Sequence, residues 1–317
     1  MMLKHWKKIL PIIGIILFIY IIVKIDIRNI IKEIAIANIF FIFLAFIFLF
    51  IMMAVQTYKW YFIARIQKIN IPFRKAFEIN IIGNFYSFVT PSKAGGIIRA
   101  EYLREHTESK NIGKGLFNFT IDKIFDLLSV IFLVILFSFV FKDTLDLPVV
   151  FFISIFLLSV LATLIFLKKE RTKFLLGFVY RKLVSNKYRD QAKMTFDNFY
   201  ENVPRKRYLA FLFVLSVISW TLIYIIFYFI GLSLGIQLSF IYYLAILPIG
   251  TLIAMLPISI SGLGTRELAL ISLFGLFNVE ATKVFSMSII NIVIVGIIPA
   301  IIGIFLILRK QKSERLN

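Results

Sequence analysis

Leu256-Pro257-Ile258-Ser259-Ile260-Ser261-Gly262-Leu263-Gly264-Thr265-Arg266-Glu267 is a proline- and glycine-broken stretch set inside a run that is apolar from Phe240 to Phe277. In a soluble protein it would be a surface loop. Its flanks forbid that reading, because the whole chain is 60% apolar and only 17% charged, with a mean hydropathy of +0.92. Soluble domains hold about 45–50% apolar and about 25% charged residues. The bilayer is therefore the solvent of this chain, and a broken segment at membrane depth must be buried in protein or line a cavity.

Outward from this stretch, uncharged runs mark the spans. A charge at mid-bilayer costs about 2.5–3.5 kcal/mol, and about 20 apolar residues cross the hydrocarbon as a helix. Six crossings are predicted: Ile9 to Val23, Asn38 to Tyr58, Gly115 to Phe141, Leu147 to Leu167, Tyr208 to Leu232 and Val284 to Leu308. The first is read as an anchor whose ends snorkel through Lys7, Lys8 and Lys24. The whole chain, 1–317, reads as a single all-α polytopic membrane domain.

A second broken segment lies at 77–98, interrupted by Asn80, Asn84, Pro91, Lys93, Gly95 and Gly96, as 240–277 is by Pro248, Pro257, Gly262, Gly264, Arg266 and Glu267. The two share an order of residue types. Pro91-Ser92-Lys93-Ala94-Gly95-Gly96-Ile97-Ile98-Arg99-Ala100-Glu101 runs proline, small residues, glycine, arginine and glutamate, as does Pro257 to Glu267 with Ser259 among its small residues. Both predict broken or re-entrant hairpins of an inverted repeat. Kinks that merely ease helix packing are the plainer alternative.

Charge sets the orientation. With a cytoplasmic N-terminus and both hairpins returning to the side they entered, the inner loops carry 29 basic residues and the outer side 6. Lys59 is counted in that reading as the first residue of an inner loop. The positive-inside rule places both termini in the cytoplasm and the protein in the cell membrane. The excess, 36 Lys and Arg against 17 Asp and Glu, is thus explained without nucleic acid.

The broken segments suggest a binding site. A helix starting after Gly95-Gly96 or Gly262-Leu263-Gly264 offers backbone N–H groups, and Arg99 or Arg266 in its first turn adds a fork suited to phosphate. Glu101 and Glu267 are expected to hold the neighbouring guanidinium or a cationic headgroup; a snorkelling interfacial arginine is the alternative. In the third span, Asp122 and Asp126 share a helix face, with Lys123 turned about 100° away. They are expected to pair with Arg99 or a coupling cation, or else to form an interfacial ion pair.

The basic stretch 168–207 places Phe174, Leu175, Phe178, Val179 and Leu183 at helical spacing, which predicts an amphipathic helix on an anionic lipid surface; a solvated loop is the alternative. Other chemistry finds no support. The chain has no Cys and two His, His5 and His106, so no cofactor or metal site is expected. Phosphate-binding loops and nucleophile elbows are missing too, so the chain is not expected to be an enzyme by itself.

Asn84-x6-Pro91-Ser92-Lys93-Ala94-Gly95-Gly96-x2-Arg99, Asp122-Lys123-x2-Asp126 and Leu256-Pro257-Ile258-Ser259-x2-Gly262-Leu263-Gly264-x-Arg266-Glu267 together resemble the lysylphosphatidylglycerol synthase transmembrane family, also called flippase-like, over nearly the whole chain. Where the family often has Glu-Arg-x2-Asp, this chain has Asp122-Lys123-x2-Asp126, which keeps the charges but loses arginine's fork. The resemblance implies movement of a phosphate-bearing lipid between leaflets. It also implies the alternative of a non-catalytic subunit that presents lipid to a separate cytoplasmic aminoacyl- or glycosyl-transferase. With short ends beyond Ile9 and Leu308, no such soluble domain is expected within this sequence. Membrane lipids, anionic or phosphate-bearing, are the expected partners, and a homo-oligomer stays open.

Overall fold

A computed structural model describes residues 16–141, 148–183, 185–256, 259 and 262–316, and every regular element among them is a helix. Five helices are long and apolar enough to cross a membrane. They are α3 (Ile39–Ile66), α6 (Gly113–Val140), α7 (Val149–Phe166), α10 (Lys206–Ser233) and the continuous Ala281–Arg309. The last comprises α13 (Ala281–Asn291), a π-helical turn (Ile292–Ile297) and the start of α14 (Ile298–Leu316). These match five of the six expected crossings. For the sixth, the described part is the short apolar helix α1 (Ile16–Ile25); Ile9 to Ile15 lie outside the described residues.

The shorter elements are α2 (Ile27–Ala35), α4 (Phe73–Phe88), a 3-10 segment (Pro91–Ile97), α5 (Ile98–Arg104), α8 (Lys169–Leu183), α9 (Arg189–Phe199), α11 (Phe240–Met255) and α12 (Thr265–Gly275). Local signals place their ends. Asn38 caps α3 by accepting a hydrogen bond from the Phe40 N–H at 3.0 Å, and Pro72 precedes the first residue of α4. Gly264 opens α12 with φ 79°, a conformation that residues with a Cβ rarely adopt.

Among the described residues, α3 and α10 pack most extensively on each other, and they are antiparallel. The Asn38 N–H at the start of α3 donates to the Ser233 carbonyl at the end of α10 (2.8 Å). Further along, Phe48 meets Phe229 and Phe62 meets Phe211, with ring centroids 5.3 and 5.0 Å apart. Around this pair α6, α11, α12 and α13 close a core built on Tyr224, Tyr243, Phe274 and Val284. By contrast α7 buries little, and Val150 and Leu158 are 77% and 66% exposed, as lipid-facing residues should be.

In each broken segment the two flanking helices pack on one another. After the turn at Val89 and Thr90, α5 packs against α4, and the Arg99 side chain lies on Gly83. After the second break, α12 packs on α11, with Leu270 against Gly250. Asn118, near the start of α6, donates to the carbonyl of Trp60, near the end of α3 (2.8 Å), which ties these two helix ends together. Ser288, in the first third of the continuous Ala281–Arg309 helix, is joined to Arg266, whose guanidinium covers Phe227 near the end of α10. Since α3 and α10 are antiparallel, Trp60 and Phe227 lie toward opposite ends of that pair.

The start-to-start spacing from α3 to α10, α4 to α11 and α5 to α12 (39 to 206, 73 to 240 and 98 to 265) is 167 residues in each case. Side chains follow the same spacing. Arg99 lies 5.9 Å from the Trp60 ring and against Gly83; Arg266 lies 5.9 Å from the Phe227 ring and 3.8 Å from a Cβ built on Gly250.

One sequence expectation needs correcting here. The second span does not end at Tyr58, and Lys59 is not a loop residue: α3 continues to Ile66, and Lys59 is 3% exposed. The residues after it, Trp60 to Ile66, are mostly apolar and bury Trp60, Ile63 and Ala64, so one paired lysine does not stop the helix.

Candidate functional site: two buried arginine clusters

The first cluster joins α3, α4, α5 and α6. Arg99, 8% exposed, donates through Nη2 to Asp122 Oδ2 at 2.8 Å. Lys59 Nζ lies 2.9 Å from Asp122 Oδ1 and 2.5 Å from Asp126 Oδ1, bridging the two carboxylates that α6 presents on one face. Lys123, three residues before Asp126, reaches its Oδ2 at 3.0 Å with a side chain 36% exposed. Asn80 accepts from Arg99 Nη1 at 3.4 Å and donates to Thr57 at 3.0 Å, tying α4 into the network.

Close backbone approach makes this possible. A Cβ on Gly83 would stand 2.7 Å from Arg99 Cγ, and one on Gly115 would stand 2.7 Å from the Ala100 backbone, so these glycines let α5 lie flat on α4 and α6. Three cations face two carboxylates, a surplus of one positive charge at a largely buried site. Buried charges cost several kcal/mol each to desolvate, and multiple pairing offsets that cost.

The second cluster is built on the first turn of α12. Glu267, fully buried, accepts from the Gly264 N–H at 2.6 Å and from Arg266 Nη2 at 2.7 Å. Ser288 of α13 donates to the same carboxylate at 2.7 Å and accepts from Arg266 Nη2 at 2.9 Å. The Glu267 carboxylate thus takes the place an anion would occupy at this helix N-terminus. Ser259 is buried, 2.9 Å from the Thr265 hydroxyl.

Among the expected site residues, Arg99, Asp122, Lys123 and Asp126 come together, and so do Gly262, Gly264, Arg266 and Glu267. Glu101 does not join Arg99: it points along α5 to Arg104 at 2.6 Å, both half exposed, and Asp122 takes its expected place as the carboxylate partner. The first-hairpin glycines do not present wholly free N–H groups. The Gly95 N–H donates to Thr90 Oγ1 at 2.7 Å, and a Cβ there would collide with the Tyr86 carbonyl. Gly96 lies against Ser87 and Phe119. Asn84 is half-buried beside Gly83, and the network runs through Asn80, one turn earlier, instead. The backbone at Pro91 and Ser92 belongs to the 3-10 segment, their side chains lie outside the described residues, and so does Pro257 altogether.

The residues missed by sequence reasoning are Lys59, Thr57, Trp60 and Ser288. The lone lysine between Tyr58 and the apolar run from Trp60 carried the signal for the first three. On the basic side, Phe174 and Leu175 of α8 are 85% and 58% exposed, and Lys169 clamps α8 to α9 through Asp197 at 2.8 Å. That lysine holds the exposed Asp197 carboxyl below the usual carboxylate range. An apolar pocket of about 490 Å³ lined by Phe166, Tyr188, Phe196 and Tyr200 sits beside them, apart from both arginine clusters.

Known membrane proteins resemble this chain along nearly its whole length. UPF0104 membrane protein PH1989 of Pyrococcus horikoshii is 26% identical over 96% of this chain and 98% of its own length. UPF0104 membrane protein MJ1595 of Methanocaldococcus jannaschii is also 26% identical, over 98% of this chain and 96% of its own. The family model described as the lysylphosphatidylglycerol synthase TM region matches residues 9–303, and the chain is therefore a multi-pass membrane protein belonging to that family.

Proposed function

We propose that this protein moves a phosphate-bearing lipid or lipid-linked intermediate between the two leaflets, using Arg99 and Arg266 as alternating headgroup contacts. The observation that carries this reading is the placement of the two arginines. Each packs against a glycine and an aromatic ring, Gly83 and Trp60 for Arg99 and, 167 residues on, Gly250 and Phe227 for Arg266, and the two rings lie toward opposite ends of the antiparallel α3–α10 pair. We read the halves as an inverted repeat. Trp60 and Phe227 each lie about 8 residues from the centre of the antiparallel α3–α10 pair, on opposite sides, so the two rings stand roughly 20–25 Å apart along it. Folds of this kind hold substrate between the halves and alternate access by rocking one against the other.

Asp122, Asp126 and Glu267 keep the cations paired when no headgroup is present, and the lipid phosphate competes for them. Both termini are assigned to the cytoplasmic side of the cell membrane. Moving Lys59 out of the inner loops leaves 28 basic residues there against 6 outside. The test is exchange of a labelled phospholipid in liposomes holding purified protein: faster exchange than in protein-free liposomes supports the reading, and equal rates refute it.

A second reading is supported by α8. Its exposed Phe174 and Leu175, among basic residues, suit a helix lying on an anionic surface beside a soluble enzyme. In that reading the protein presents lipid to a cytoplasmic transferase, and stable co-purification with such an enzyme would favour it.

A further inference from the structure

The two arginine clusters share a scaffold but not a charge. Arg266 and Glu267 cancel. Where the first half has Lys59, Asp122, Lys123 and Asp126, the second, 167 residues on, has Ile226, Ile289, Ile290 and Val293, all uncharged. The first cluster alone holds a surplus of one positive charge, and its spare donors converge. The Arg99 guanidinium and the Lys123 ammonium lie 5.8 and 5.9 Å from the same ring, Phe119, which also meets Gly96. Lys59 is spent on two carboxylates, whereas Arg99 has one short bond, to Asp122, and Lys123 is 36% exposed. Trp60, under the guanidinium, keeps a buried Nε1–H with no partner among the described residues.

We propose that the first cluster selects a singly charged anion, a phosphodiester rather than a phosphomonoester, bound against Phe119 between Arg99 and Lys123. The inference rests on the lipid-transport reading and adds the charge class of its substrate. A surplus charge in an apolar setting is costly until one counter-charge arrives, and a second negative charge would recreate the cost with opposite sign. The neutral second cluster has no such preference, so the two ends of the path differ in affinity: capture occurs at Arg99 and release at Arg266.

The test is binding of short-chain phosphatidylglycerol and phosphatidic acid of the same chain length to the purified full-length protein in neutral detergent at pH 8, where the phosphomonoester is mostly doubly charged. Phosphatidylglycerol should bind more tightly. Lys123→Gln, which removes the surplus at a half-exposed position, should weaken it by about tenfold or more. Asp126→Asn, which doubles the surplus, should move the preference toward phosphatidic acid. Equal binding of the two lipids, or a Lys123→Gln protein with unchanged affinity for phosphatidylglycerol, would overturn the inference and leave lipid transport standing. Binding of neither lipid, by protein with an intact unfolding transition, would overturn both.

Discussion

Lys59 of α3 lies 2.9 Å from Asp122 of α6, and both side chains are at most 5% exposed. This contact, with the neighbouring pair to Asp126, joins the long helix that packs on α10 to the helix that receives Arg99. Replacing Lys59 by Met removes the cation shared by two buried carboxylates and should destabilise the protein by about 3–5 kcal/mol. Adding Asp126→Asn to Lys59→Met should recover part of that loss. Unfolding followed in detergent checks both, and additive effects would show that the groups are independent.

The glycines separate close packing from chain flexibility. Gly95→Ala drives a Cβ into the Tyr86 carbonyl, backbone that cannot move aside cheaply, and should disrupt the first hairpin. Gly177→Ala meets nothing within 4 Å in the middle of α8 and should be neutral or stabilising by about 0.5–1 kcal/mol. Thermal unfolding of the two variants makes the comparison.

Ser288→Ala deletes a hydroxyl that bonds both Arg266 and Glu267 and should cost about 1.5–3 kcal/mol, the range for hydrogen bonds to charged groups. A loss below about 0.5 kcal/mol would mean that the α12–α13 contact is not held by this network. Denaturant unfolding of the variant reads the difference directly.

The antiparallel α3–α10 pair is open to cross-linking, because the chain has no native cysteine. Asn38→Cys with Ser233→Cys, at adjoining helix ends, should form a disulfide under mild oxidation. Asn38→Cys with Lys206→Cys should not, since α10 is 28 residues and about 40 Å long.

Long uncharged runs made the spans legible in the sequence, because the bilayer penalises each charge separately. The breaks were legible only in part: Pro91 and Gly264 stand where one helix stops and another begins, whereas Pro248 lies inside α11 without ending it. Lys59 was hidden because span prediction treats a lysine as an end, whereas two carboxylates from another helix neutralise this one. Glu101 misled because nearness in sequence suggested a partner for Arg99, yet its place on α5 turns it toward Arg104. Asp122, 23 residues away, holds Arg99 as the shared face of Asp122 and Asp126 led one to expect, and the folding of α5 onto α6 brings them together.

The most direct test of the account is leaflet exchange of a labelled phosphodiester lipid in liposomes containing the wild-type protein, Arg99→Ala or Arg266→Ala, each checked for an intact unfolding transition. The account predicts rapid exchange with wild type and loss in both variants, because each arginine serves one side of the same path. Wild-type rates in both variants would contradict it.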